Sequence, residues 1–187
     1  MRPDPDARGP GADEPIRVVP HDPRWPALFD AERALLGARI DRWVLGGIHH
    51  VGSTAVEGLA AKPVIDILAG VRDLDSSRAT FEPLAELGYC YAPYLADEMH
   101  WFCKPSPSRR THHLHLIPLA SARYREELAF RDHLRSHPAD AAAYAELKLR
   151  LAAAHRSDRQ AYTDAKGPFI AEVLARAQRA SSGAWRA

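Results

Sequence analysis

His50-Val51-Gly52-Ser53-Thr54-Ala55-Val56-Glu57-Gly58-Leu59-Ala60-Ala61-Lys62-Pro63-Val64-Ile65-Asp66-Ile67-Leu68 is the stretch on which the reading of this chain turns. Val64 to Ala69 reads as an apolar strand with one acid at its centre. A Gly-Ser turn and a small-residue loop carrying a single lysine, Lys62, lead into it. An aspartate inside such a run must be hydrogen-bonded, paired with a cation or bound to a metal, because an isolated buried carboxylate costs several kcal/mol. Asp66 is therefore either the partner of Lys62 or an arginine in a structural ion pair, or the anchor of a site.

Working outward, Gly46-Gly47 breaks the chain before Ile48 to Val51, a short strand leading into Gly52-Ser53. Glycine at 52 lets the backbone turn closely. Ser53 or Thr54 can cap a short helix whose free N–H groups suit an anion. Downstream the strand ends near Gly70-Val71, and Asp73 to Ser77 caps a helix predicted over 76–88, with Phe81, Leu84, Ala85 and Leu87 inward and Gly88 as its stop. Upstream, Ile16 to Val19 is a short strand candidate. His21-Asp22-Pro23 opens a helix predicted over 23–40, in which Trp25, Leu28, Phe29, Leu35, Leu36 and Ile40 recur at near-helical spacing with Trp25 and Phe29 buried. Residues 1–15, rich in proline, glycine and charge, read as a disordered tail.

The second half of the sheet reads as a meander: Tyr89 to Ala92, Glu98 to Lys104, and Thr111 to Pro118. The Pro105-to-Arg110 turn makes the last two an antiparallel hairpin. Strand alternation puts His113, His115 and Ile117 on one face and His112, Leu114 and Leu116 on the other. His-x-His on a strand projects two imidazoles to one side within reach of one ion, although hydrogen-bonded packing histidines give the same pattern. Arg109 and Arg110, at the loop end beside this strand, suit phosphate or carboxylate binding as well as plain solvent exposure.

Beyond 120 the chain reads as three helices, over about 122–136, 138–155 and 158–179, dominated by alanine, leucine, arginine and glutamate. Tyr162 and Lys166 lie one turn apart and share a face. Arg131, Lys148, Tyr162 and Lys166 are candidates to roof a cleft, against the default of solvated helix charges. Residues 180–187 read as a frayed end.

Gly52-Ser53-Thr54-Ala55-Val56, Lys62-Pro63-Val64-Ile65-Asp66-Ile67, His112-His113-Leu114-His115-Leu116 and Phe130-Arg131-Asp132-His133-Leu134-Arg135 occur in this order. This joint pattern resembles the GrpB family, small relatives of the polymerase-beta-type nucleotidyltransferases, across about residues 16–178. The resemblance implies one α+β domain over 16–179, a nucleotidyltransferase-like mixed sheet flanked by helices with a helical C-terminal part. It also implies a Gly-Ser turn that holds a nucleotide's phosphates and a following strand that presents Asp-x-Asp to two Mg²⁺ ions, since alternate strand positions point the same way. A third acid would come from a later strand, which the histidine strand resembles. This sequence keeps Asp66 but has Leu68 where the second carboxylate should stand.

The implied site has Asp66, His113 and His115 as catalytic residues. Gly52, Ser53, Thr54, Lys62, Arg110 and Lys166 would lie around the phosphates, and Asp66, Glu98, His113 and His115 around a divalent metal, Mg²⁺ or else Mn²⁺ or Zn²⁺, with His100 beside Glu98. Two functions of different classes fit. One is a nucleotidyltransferase moving a nucleoside monophosphate to a small acceptor; the other is an inactive module that binds a nucleotide or another phosphorylated small molecule. With 25 Lys and Arg against 24 Asp and Glu, the net charge of +1 gives no case for extended nucleic acid as partner. No run approaches the roughly 18 apolar residues of a membrane span. Cys90 and Cys103, without C-x-x-C spacing, suit the reduced thiols of a cytoplasmic protein. The apolar helix faces suit contacts within the chain or with another copy alike.

Overall fold

The computed structural model describes residues 15–183. The expected N-terminal tail, apart from Pro15, and the last four residues of the expected frayed end lie outside them. The elements are α1 (Trp25–Ile40), β1 (Val44–Val51), β2 (Ile65–Val71), α2 (Leu74–Ser77), α3 (Phe81–Glu86), β3 (Cys90–Tyr91), β4 (His100–Pro105), β5 (Arg110–Pro118), α4 (Ala122–Ser136), α5 (Pro138–Ala154), α6 (Arg159–Asp164) and α7 (Gly167–Gly183). The five strands form one mixed sheet in the order β1-β2-β5-β4-β3. β2 runs parallel to β5 and the other neighbours are antiparallel. The fold is α+β, as expected.

β2 is an interior strand covered on both faces, which is why it reads as a continuous apolar run. On one face Ile65, Ile67, Ala69, Leu114 and Leu116 pack with Trp25, Phe29, Leu36 and Ile40 of α1. On the other, Val51, Leu68, Trp101 and Ile117 pack with Tyr124 of α4. Asp66 and Leu68 alternate with Ile65 and Ile67, so both belong to this second face. The parallel register sets Asp66 beside His113 and Leu68 beside His115.

Several elements depart from the sequence reading. β1 begins at Val44 and runs through Gly46-Gly47 with an irregular register, so the two glycines bend the strand without breaking it. They allow close packing: a Cβ at Gly70 would stand 2.8 Å from the Tyr124 ring and 2.9 Å from the Gly46 Cα. The Tyr124 hydroxyl donates to the Gly46 carbonyl at 2.6 Å, and His49 Nε2 lies 2.6 Å from the same oxygen. Because His49 still serves that oxygen, Tyr124→Phe is expected to cost only about 0.5–1 kcal/mol in urea unfolding.

On α1 the buried stripe is Trp25, Phe29, Glu32, Leu36 and Ile40, while Leu28 and Leu35 are exposed. Glu32 accepts two hydrogen bonds from Lys104, at 2.9 and 3.0 Å, which is how a carboxylate sits on that stripe. The helix expected over 76–88 is three short pieces, α2, a 3₁₀ turn and α3. Asp73 caps α2 through Ser76 N–H, and Ala85 is exposed. Of the candidate strand at 16–19, only Val19 forms a bridge, with Ala61. The last expected helix breaks at Ala165-Lys166 into α6 and α7, where Pro168 has no N–H to continue the ladder. Among the described residues no helix is long and apolar enough to cross a membrane.

Candidate functional site

The site begins where β1 ends. Gly52 has φ +67 and turns the chain into one 3₁₀ turn, Ser53–Ala55. Two arginines of α4 hold this turn by its carbonyls: Arg131 donates to His50 O at 3.1 Å and Arg135 to Ala55 O at 2.9 Å. Arg131 is thus a strut beneath the turn, paired also with Asp132, and takes no part in roofing the cleft. Thr54 is likewise corrected. It is buried, with its hydroxyl donating to Val64 O at 3.2 Å and lying 3.0 Å from His50 Nε2. It ties the turn to β2 and does not reach the Asp66 cavity.

Asp66 Oδ1 accepts a hydrogen bond from His113 Nδ1 at 2.9 Å. Its other oxygen faces Gly52 so closely that a Cβ there would stand 2.2 Å away. Burial opposes ionisation of Asp66, but the His113 hydrogen bond and the nearby charges of His115 and Lys62 outweigh it and hold the carboxyl below its ordinary value. Burial pushes His113 down to about 4, so at neutral pH the pair is a carboxylate and a neutral imidazole protonated on Nδ1. His115 has its own acid, Glu127, 3.1 Å from Nδ1. Burial again works against the charge, but Glu127 prevails and the His115 pKa is raised.

Across from this floor, Lys148 of α5 donates to Ser53 Oγ at 2.8 Å and to Ala60 O. It is buried, and burial together with the charge of Lys166 brings its pKa down to about 7. The Tyr162 ring stands between Lys166, 4.4 Å from its centroid, and Lys62, at 6.0 Å. A cavity of about 370 Å³ lies between floor and roof, within the range of small-molecule sites. Gly52, Ser53, Lys62, Asp66, His113 and His115 all line it, as do Lys148, Tyr162 and Lys166. Tyr94, Trp101, Phe130 and Tyr144 give it aromatic walls. A wider hollow of about 740 Å³ on the far side of the turn is lined mainly by proline, alanine and leucine and gathers few polar groups.

Three expected members stand elsewhere. Glu98 lies in the turn before β4, with its carboxylate 2.7 Å from Arg123 Nε, and is absent from the cavity lining. A strand position had been expected to carry it towards Asp66; the strand starts two residues later. His100 points to the opposite sheet face, its Nε2 2.8 Å from Leu74 O. Arg110 sits outside the main cavity with its guanidinium 5.3 Å from the Trp101 centroid. Among the described residues no group of three or more His, Cys, Asp and Glu is gathered to hold a metal ion.

Glu127 and the buried state of Lys148 escaped the sequence reading. Tyr144, Lys148 and Ala152 are the buried residues of α5, spaced four apart, and that stripe was the available signal for a lysine on an inward face. Glu127 carries only an i,i+4 relation to Arg123, a pattern common on solvated helices.

Residues 15–176 match the family model described as GrpB protein. A UPF0157 protein of Pseudomonas aeruginosa is 44% identical over 170 residues, covering 88% of this chain and 69% of that protein. The glutamate-rich protein GrpB of Alkalihalophilus pseudofirmus is 36% identical over 164 residues, covering 85% and 94%. The crystal structure of the conserved protein GrpB from Enterococcus faecalis superposes with a TM-score of 0.80 at 31% identity, covering 88% of this chain and 99% of that one.

Proposed function

The chain belongs to the GrpB family, and on that footing we propose that it binds a nucleotide or a related phosphorylated small molecule in the cavity around Asp66. The observation that carries this reading is the gathering of Lys62, Lys148 and Lys166 about the Ser53 turn, within aromatic walls. The lysines suit phosphate oxygens, and Trp101, Tyr144 and Tyr162 suit a flat base. Lys148 is the telling member, because keeping an ammonium group buried beside Ser53 is costly unless an anion offsets it.

The donor set bears on the metal. β2 offers the cavity one carboxylate, Asp66 beside Gly52, while its partner position is the buried apolar Leu68; the other lining acids, Glu126 and Glu127, come from α4, and Glu127 is paired with His115. That fits a single Mg²⁺ or Mn²⁺ held by Asp66, water and the ligand's own phosphates. It fits neither a two-metal centre nor Zn²⁺, which takes three or four His, Cys or carboxylate ligands, a group not gathered among the described residues. When bound, such an ion would neutralise phosphate charge.

A second reading, nucleoside monophosphate transfer to a small acceptor, draws on His113. Its Nδ1 is committed to Asp66 and the ring is neutral, the state a general base requires. The acceptor hydroxyl would attack the α-phosphorus and give up its proton as the bond to pyrophosphate breaks. Leu68 weighs against this reading, and binding is the conclusion preferred.

Melting in the presence of nucleoside triphosphates and other phosphorylated metabolites, with and without Mg²⁺, Mn²⁺ or Zn²⁺, tests the proposal. A ligand at about 100 times its Kd is expected to add about 2.7 kcal/mol of stability. Asp66→Asn is expected to remove the metal-dependent part of the shift. No shift with any ligand would sink the reading, whereas pyrophosphate release would promote the transferase.

A further inference from the structure

Ser53 Oγ and Lys148 Nζ stand 2.8 Å apart. Ser53 is half-buried at the head of the turn after Gly52 and lines the main cavity, so its hydroxyl is reachable from that space. Lys148 is only 2% exposed. Its Nζ is held from a second side by the Ala60 carbonyl, which accepts a hydrogen bond from it. The Tyr144 ring centroid lies 4.8 Å from the same nitrogen. A hydroxyl, a basic nitrogen within hydrogen-bond reach of it and a third group that orients that nitrogen are the parts of an activated nucleophile.

A contact of this length is the same whether an ammonium donates to the hydroxyl or the hydroxyl donates to a neutral amine. Ser53 and the Ala60 carbonyl are neutral partners, and neither offsets the charge of a buried ammonium. Burial first, and then the charge of Lys166, bring the Lys148 pKa down to about 7 against the opposing pull of Asp66. Near neutrality the neutral form is therefore well populated. In that form one N–H still serves the Ala60 carbonyl and the lone pair is left for the Ser53 proton.

We propose that Ser53 and Lys148 form a nucleophile–base dyad that cleaves a carboxylic ester in the main cavity through an acyl-Ser53 intermediate. Tyr144 clusters with Phe130 and Ile170, and this wall beside Lys148 suits an apolar acyl group. Ser53 Oγ attacks the carbonyl carbon as its proton passes to Lys148 Nζ. The tetrahedral adduct then collapses, the bond to the alcohol oxygen breaks, and that oxygen takes the proton back from Lys148. Water attacks the acyl carbon in the same manner, giving its proton to Lys148 and releasing the acid, and Ser53 recovers its own proton. The inference shares the cavity with the phosphate reading but does not rest on it. A phosphorylated ligand would hold Lys148 as the ammonium, the form that cannot act as a base.

Incubation with p-nitrophenyl butyrate, followed by acid quench and peptide mass mapping, tests the dyad in the full chain. Wild type is expected to carry a butyryl group on Ser53 and to release nitrophenol. Its acylation rate is expected to rise about tenfold per pH unit up to about pH 7 and to level off above it. Ser53→Ala is expected to lose the label, and both Ser53→Ala and Lys148→Met to lose at least about a hundredfold in rate. No acyl group on wild-type Ser53, or labelling of Ser53 at an unchanged rate in Lys148→Met, overturns the proposal. Should Lys148→Met not fold, the wild-type profile decides the role of Lys148: a rate that is flat from pH 6 to 8 overturns it. The two readings fail separately. Nucleotide binding without acylation removes the dyad and leaves the phosphate reading, whereas acylation of Ser53 without any nucleotide-induced shift in melting does the reverse.

Discussion

Affinity for a phosphorylated ligand is expected to fall about tenfold for each pH unit above about 7, with uptake of a proton on binding at pH 8. Lys148 is the cause. Burial and the charge of Lys166 bring its pKa to about 7 in the unliganded protein. Above that pH an anion must first recover the charged form, and the proton enters with the ligand. Titration calorimetry in buffers of different ionisation enthalpy reads that proton directly. Lys148→Met is expected to abolish both the uptake and the steep pH dependence.

Stability shows the same group with the opposite sign. The ordinary lysine value is 10.5, so between about pH 7 and 10.5 the unfolded chain binds the proton and the folded one does not. Lys148 therefore makes stability rise with pH across that window, by about 1.4 kcal/mol per unit at most. Below pH 7 both states are charged and the full cost of burial applies. Urea unfolding of wild type and Lys148→Met at pH 7 and pH 9 should give a difference between the two proteins that shifts by more than 1 kcal/mol in favour of wild type. Curves that stay parallel would mean the ammonium is solvated.

Gly52→Ala is expected to lose about 2–6 kcal/mol, a backbone part of about 1–3 joined by a steric part of similar size. Gly52 holds φ +67 and ψ −170, a conformation that L side chains rarely adopt. A methyl there would meet Asp66 Oδ2 at 2.2 Å, with Cβ and Cγ of the same side chain at 2.9 Å. Asp66 cannot swing away without releasing His113. Gly58→Ala is the control: φ is +74 but nothing lies within 4 Å, so only about 1 kcal/mol of backbone cost is expected. Adding Asp66→Ala to Gly52→Ala should restore the steric part, visible as a coupling of at least about 1 kcal/mol in a double-mutant cycle. Strict additivity would show that the turn and the carboxylate do not touch.

The sheet was legible where local patterning decides it. Alternation along Thr111 to Pro118 correctly separated His113 and His115 from Leu114 and Leu116, because a strand's period of two needs no knowledge of the partner. Asp66 stood out because one polar residue in an apolar run must be accounted for. Thr54 was misjudged because a hydroxyl beside a turn reads the same whether it faces a ligand or, as here, Val64 O. Glu98 was misjudged because its strand begins at His100, and two residues of boundary error exchange a cavity position for a turn.

By itself the sequence determined the order of the five strands and the helical regions between and after them, the two faces of β5 and the glycine turn before Asp66, since each rests on backbone preference or on a hydrophobic period within one segment. Only the tertiary structure decided which charges meet. Lys148 reaches Ser53 across 95 residues, His115 takes Glu127 as its acid, and Glu98, expected around a metal with Asp66, pairs with Arg123. A glutamate on a helix carries no local mark of burial, and for Lys148 the spacing with Tyr144 and Ala152 marks an inward face but not the group it meets. The environment of either is set by what packs over it, and here the packing of α5, α6 and α7 over the sheet turned solvated charges into the roof of a cavity.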